Sequence, residues 1–153
     1  MKRALPYALV TLQFVLLGAL VLVPRGTLWP LDTVVIAAAA ILILGGGALA
    51  VLGVVGLGSA LTASPVPKAG SALVTTGIYS AIRHPIYTGL LVGGAGLVLL
   101  GASPWHVALW LGLLVLLALK SRWEERMLVA EHPDYRDYGA RSGRFLPGLG
   151  RLR

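Results

Sequence analysis

The chain has 153 residues, 57% of them hydrophobic and 12% charged, with a formal net charge of +7, a mean hydropathy of +0.83 and no cysteine. That apolar weight excludes an ordinary soluble domain, and the missing cysteines exclude disulfides, thiolate ligands and a cysteine nucleophile. A membrane-crossing helix takes about 20 apolar residues, so four of them with their connections fill a single domain over residues 1–153.

In chain order, the first apolar segment covers residues 5–23 and stops at Pro24-Arg25-Gly26. Met1-Lys2-Arg3 ahead of it has the charge of a signal peptide, but no small-x-small cleavage pattern precedes Pro24, and the segment reads as a retained helix. The second covers 33–57, contains Gly45-Gly46-Gly47 and ends before Gly58-Ser59. The third, 85–101, opens at Pro85; the fourth, 104–119, opens with Ser103 as N-cap and Pro104 at the first helical position. So few residues separate the last two that they form a tight antiparallel hairpin. Beyond it, His132-Pro133-Asp134-Tyr135-Arg136-Asp137-Tyr138 reads as a helix beginning at Pro133. This tail either closes over the hairpin mouth as a lid or lies on lipid headgroups as an amphipathic segment. The fold class is therefore all-α and integral to the membrane, with four transmembrane helices and a cytoplasmic helical tail.

Charge sets the orientation. Lys2, Arg3, Lys68, Arg83 and the arginine-rich tail fall on one side of a four-span topology, while the opposite loops hold Arg25, Asp32 and His106. The Lys/Arg bias places both termini in the cytoplasm, as for a multi-pass protein of a bacterial inner membrane. Contact with membrane lipids accounts for the basic balance, which leaves no call for a nucleic-acid partner. His84, His106 and His132 lie in different segments, and no metal site is expected from them. Gly89 and Gly93 form a small-xxx-small pair suited to close helix packing; neither they nor Gly45-Gly46-Gly47 sit in the strand–loop–helix setting of a phosphate loop.

Chemistry-bearing residues gather in two blocks at the hairpin mouth. One runs from Ser71 through Tyr79 to Arg83-His84-Pro85-Ile86-Tyr87; the other is Lys120-Ser121-Arg122-Trp123-Glu124-Glu125-Arg126. The hairpin brings the start of its first helix beside the end of its second, so His84 and Glu124 are expected to meet. Lys120 and Glu124 share a helix face, whereas the adjacent Glu124 and Glu125 point about 100° apart, so only one of them is expected to face inward. Each block also has a plainer reading, as interfacial aromatic and basic anchors or as a solvated helix with i,i+4 ion pairs.

Leu73-Val74-Thr75-Thr76-Gly77-Ile78-Tyr79, Arg83-His84-Pro85-Ile86-Tyr87-Thr88-Gly89, Glu124-Glu125, Tyr135-x-x-Tyr138 and Arg144-Phe145-Leu146-Pro147-Gly148 together resemble the isoprenylcysteine carboxyl methyltransferase and phospholipid methyltransferase superfamily. The resemblance covers residues 64–149, the cofactor-binding half. It implies an enzyme that transfers a methyl group from S-adenosylmethionine to a small or lipophilic acceptor carrying a carboxylate, amine or thiol. By that resemblance the cofactor contacts are Ser71, Ala72, Leu73, Val74, Tyr79, His84, Pro85, Ile86, Tyr87 and Glu124. Lys120, Arg122 and Arg83 are the candidate cations for the acceptor, and no catalytic residue is assigned. Lys120 stands where prenylcysteine enzymes carry an arginine, and a lysine is a point charge rather than a bidentate clamp. Two rival readings are a nicotinamide-dependent reductase of the sterol-reductase type, which shares a related Arg-His-Pro-x-Tyr element, and a non-enzymatic membrane scaffold.

Overall fold

Helices α1 (Ala4–Leu22), α2 (Thr33–Leu57), α3 (Pro85–Gly101), α4 (Pro104–Glu131) and α5 (Tyr135–Arg141) make up the architecture seen in a computed structural model, which describes residues 4–61 and 72–152. The described residues form no strand, only an isolated bridge between Ile82 and Gly143. Three helices, α1, α2 and α4, are long and apolar enough to cross a membrane. At 17 residues, α3 is shorter, about 25 Å at the helical rise. Large apolar side chains such as Phe14, Val21, Leu44 and Val55 are exposed on the outer faces, as lipid contact requires.

Local chemistry fixes the helix ends. Asp32 caps α2, its carboxylate accepting from the Val35 N–H at 2.9 Å. Pro85 disfavours helical backbone at His84, which has φ −124° and ψ 59° and makes no side-chain cap bond. The imidazole is thereby left for the interior. Between α3 and α4 the chain turns on Ala102, held at φ 45°, and Ser103, whose hydroxyl accepts from the His106 N–H at 3.3 Å.

The hairpin thus has the expected tight link, yet the closest partner of α3 is α2. A side chain at Gly89 would place its Cβ 2.5 Å from the Gly46 carbonyl oxygen, and one at Gly96 would meet the Ala39 carbonyl at 2.7 Å. Small residues let two backbones approach where side chains would hold them apart, which is how helices associate in lipid without a hydrophobic driving force. Against α4, by contrast, α3 packs through a leucine core of Leu20, Leu91, Leu113 and Leu117, with α1 supplying Leu20. The Trp110 indole donates to the Leu91 carbonyl at 2.8 Å across the same face.

The ends of two helices bear on the site. Beyond the apolar span 104–119, α4 runs on unbroken to Glu131 and carries Lys120 to Arg126 on the same helix, since Lys120 to Met127 contains no helix breaker. Its 28 residues extend about 42 Å, more than the roughly 30 Å of a bilayer core. Helix α5 begins at Tyr135, not Pro133; Pro133 and Asp134 form a turn in which the Tyr135 N–H reaches the His132 carbonyl at 3.1 Å.

Two glycines, Gly89 of α3 and Gly45 of α2, separate packing from propensity. Gly89→Leu is expected to lower the thermal unfolding midpoint in detergent, by an overpacking cost of about 1–3 kcal/mol or more. Gly45→Leu, at a position with open space around it, should leave the midpoint unchanged or raise it.

Candidate active site

Three segments converge where α3 begins. A short helical turn, Gly77–Ser80, leads into Arg83 and His84; the second half of α4 passes alongside; and the stretch after α5 folds back over both. The backbone sets this arrangement before any side chain acts. Arg83 N–H donates to the Gly143 carbonyl at 2.8 Å, His84 N–H to Arg144 at 3.1 Å, and Gly143 N–H to Ala81 at 2.9 Å. The Thr88 hydroxyl adds a bond to the Phe145 carbonyl at 2.8 Å.

His84 occupies the centre. Its Nδ1 is 3.6 Å from Glu124 Oε2 and its Nε2 is 3.4 Å from Glu125 Oε1. Nε2 is buried and has no hydrogen-bond partner. The ring stacks on Tyr87, with centroids 5.3 Å apart and planes 6° from parallel, and Phe145 lies tilted at 6.1 Å. Tyr87 in turn donates its hydroxyl proton to Glu124 Oε1 at 2.5 Å. Lys120 Nζ stands 4.9 Å from the centroid of the Tyr87 ring. The meeting of His84 with Glu124 expected from the hairpin is therefore present, and Tyr87 and Lys120 join it.

Both glutamates point inward, contrary to the expectation of one. Their divergence of about 100° remains, but the site is enclosed from two directions: α3 receives Glu124, and the returning tail receives Glu125. Glu125, its side chain 4% exposed, accepts from Arg83 Nε at 2.8 Å and from Arg144 at 2.6 Å. A buried carboxylate needs such pairing, because an unpaired one would carry the full desolvation penalty.

The remaining anticipated residues divide into those turned elsewhere and those left at the margin. Arg83 was expected to serve the acceptor, but its side chain is 1% exposed and turned toward the tail. Its guanidinium also donates to the carbonyls of Gly139 (3.0 Å), Ser142 and Gly150 (2.7 Å). Arg122, the other expected cation, is exposed, one helix face away from Lys120 and Glu124. Tyr79, Pro85 and Ile86 face α2: the Tyr79 hydroxyl donates to the Gly53 carbonyl at 3.0 Å, and Pro85 and Ile86 cover Gly53. Leu73 and Val74 are half-buried and Ala72 is exposed in the irregular stretch before the turn, while Ser71 lies outside the described residues.

Glu125 was weighed against Glu124 without a role of its own, and Arg144 and Gln13 are the residues that sequence reasoning passed over. Arg144 lay within the Arg-Phe-Leu-Pro-Gly element, but its partner was not foreseeable without the fold-back of the tail. Gln13, which accepts from Lys120 Nζ at 2.8 Å, is the sole side-chain amide in the sequence and sits in an apolar run.

A profile of the phospholipid methyltransferase family matches residues 34–134. The chain belongs to that family. Among curated relatives, a cobalt-zinc-cadmium resistance protein of Cupriavidus metallidurans is 36% identical over 86 residues, 54% of this chain and 38% of that protein. A nickel-cobalt-cadmium resistance protein of Alcaligenes xylosoxydans xylosoxydans is 38% identical over 85 residues, 53% of this chain and 38% of that protein. The matched region thus covers well under half of either relative. Membership supports a membrane-associated methyltransferase, and the His84–Tyr87–Glu124 grouping falls wholly inside the matched residues.

The ion-paired tail gives two expectations. Arg83→Ala leaves Glu125 with one guanidinium fewer and should release the tail, at a cost of about 3–5 kcal/mol; trypsin cleavage at Arg141 and Arg144 would then become rapid. Burial pushes the Tyr138 hydroxyl up to about 12, and that hydroxyl donates to the Tyr79 carbonyl at 2.7 Å. Because the folded state favours the neutral phenol, this contribution is complete below the ordinary value of about 10 and is lost only as pH rises toward 12. Protease resistance of the tail should therefore be flat from neutral pH to about 10, and Tyr138→Phe should lower it by about 1 kcal/mol across that range.

Proposed function

We propose that this protein is an S-adenosylmethionine-dependent methyltransferase that works at the membrane on a small or lipophilic acceptor. The observation that carries this reading is the buried His84 ring set among two carboxylates and two aromatic rings, its Nδ1 3.6 Å from Glu124 and its Nε2 3.4 Å from Glu125. Ionisable groups gathered in the interior of a membrane protein are costly and mark functional sites, and a polar ligand beside Glu124 would complete their bonding.

The donor set fits the cofactor. S-Adenosylmethionine carries an amine, a carboxylate, ribose hydroxyls, an adenine and a sulfonium; a carboxylate such as Glu124 suits the amine or ribose, and aromatic faces suit adenine and sulfonium. On this reading Glu124, His84 and Tyr87 hold the polar groups. Ser71, Ala72, Leu73 and Val74 provide the flanking wall, and Tyr79, Pro85 and Ile86 support the cradle from the α2 side. When bound, the cofactor supplies a methyl group on a positively charged sulfur, which an acceptor attacks in line.

The chain's own share is orientation, dryness and charge. The docked tail keeps water from His84, and two rigid helices hold His84 and Glu124 in fixed relation, a contribution worth several kcal/mol in reactions of this kind. Lys120 presents the cation that faces Tyr87 and stands on the same helix face as Glu124. A four-span topology with both termini in the cytoplasm of a bacterial cell accompanies this reading, with α3 and its flanking residues completing the fourth crossing. It would let an acceptor reach the site laterally from the lipid.

Calorimetry on the detergent-solubilised protein with S-adenosylhomocysteine and with NADPH tests the reading. S-Adenosylhomocysteine should bind, Glu124→Gln and His84→Ala should each weaken it at least about tenfold, equivalent to about 1.4 kcal/mol, and NADPH should not bind. Binding of NADPH alone would replace this reading with a reductase, and binding of neither would leave a non-enzymatic membrane protein.

A further inference from the structure

Helix α1 lies outside the residues matched by the methyltransferase family, yet it reaches into the site through one side chain. Gln13 is 7% exposed and Lys120 is 4% exposed, and the amide oxygen accepts from the ammonium at 2.8 Å across 107 residues of sequence. Gln13 stands between Leu12 and Phe14, both turned outward, in a helix otherwise committed to apolar contact.

A lysine ammonium inside an apolar bundle is costly and its four-carbon stem is flexible, so its position depends on what receives its protons. Two partners are visible: the Gln13 oxygen and the face of the Tyr87 ring at 4.9 Å. Neither carries a negative charge; the Glu124 carboxylate, one turn along the same face of α4, acts on the ammonium from farther away. The pair therefore fixes where the ammonium sits without a direct ion pair. Lys120 also lies one turn, about 6 Å, nearer the membrane interior than Glu124, so it forms the lipid-ward end of the polar cluster.

We propose that Gln13 is a positioning residue for methyl transfer: it holds the Lys120 ammonium against Tyr87 so that the charge meets the head of an acceptor entering from the lipid side. This role rests on the methyltransferase reading above. Gln13 does not touch the reacting atoms and acts only through Lys120. A purely packing role for Gln13 would be equally served by any side chain of its length.

Gln13→Met keeps length and volume but removes the accepting oxygen, Gln13→Asn keeps a neutral amide oxygen that the flexible lysine stem can follow, and Gln13→Glu would pair with the ammonium and neutralise it. The assay is transfer of labelled methyl from S-adenosylmethionine to a total lipid and small-molecule extract of bacterial membranes, with S-adenosylhomocysteine affinity measured in parallel. Gln13→Met and Gln13→Glu should each require about tenfold more extract for half-maximal rate while their affinity for S-adenosylhomocysteine stays within about twofold, and Gln13→Asn should lose clearly less than either. An unchanged extract dependence in Gln13→Met overturns the role, as does an equal loss in Gln13→Met and Gln13→Asn. Failure of the wild type to bind S-adenosylhomocysteine overturns the methyltransferase reading itself.

Discussion

A carboxylate buried beneath two guanidinium groups is the interaction on which the rest of the site depends. Glu125 can stay in the interior only because Arg83 and Arg144 reach it from opposite directions in sequence, one before α3 and one after α5. Arg83 then uses its other N–H groups on three tail carbonyls, so the charge pair and the tail fold are one unit. Pairs of this kind add little net stability over apolar packing, but breaking one is expensive. The arrangement therefore specifies where the tail goes rather than how stable the bundle is. His84, adjacent to Arg83, inherits its placement from the same lock.

The second constraint is the glycine seam between α2 and α3. Close backbone approach there sets the position of α3 against a helix that contributes few polar groups, and it brings Gly53 and Gly56 under Ile86 and Tyr79. The Tyr79 hydroxyl bonded to the Gly53 carbonyl and the Tyr138 hydroxyl bonded to the Tyr79 carbonyl continue that seam toward the tail. A chain of contacts thus runs from the middle of α2 to α5, while His84 and Tyr87 remain on the other side of α3, facing α4.

Much of this was readable from residue types. Pro85 and Ser103-Pro104 announce the starts of α3 and α4, and the short link between them brings His84 to Glu124. What escaped reading has physical causes. Local spacing says that Glu124 and Glu125 diverge, and they do; it cannot say that the tail returns to cover the second of them. The two cations Arg83 and Arg122 look equivalent to Lys120 in sequence, but Arg83 is drawn to backbone carbonyls of a distant segment, and Arg122 lies on the outer face of α4. Membership of the family covers α2 to the start of the tail, so the contribution of Gln13 from α1 had no local or family signal beyond its solitary polarity.

The loop between α1 and α2 carries a mechanical consequence. Gly26 and Leu28 N–H groups donate to the carbonyls of Gly101 and Ala102 at 2.8 and 2.9 Å, and the Trp29 indole donates to Leu99 at 2.8 Å. These bonds staple the first connection to the tip of the hairpin, at the end of the bundle farthest from His84. With that end pinned, α3 and α4 are geometrically like the arms of a clothes-peg: any change in the angle between them would have its pivot at the stapled tip and its travel at the mouth. Small angular changes at Ala102 would translate into the widest displacement where the two blocks of polar residues face one another.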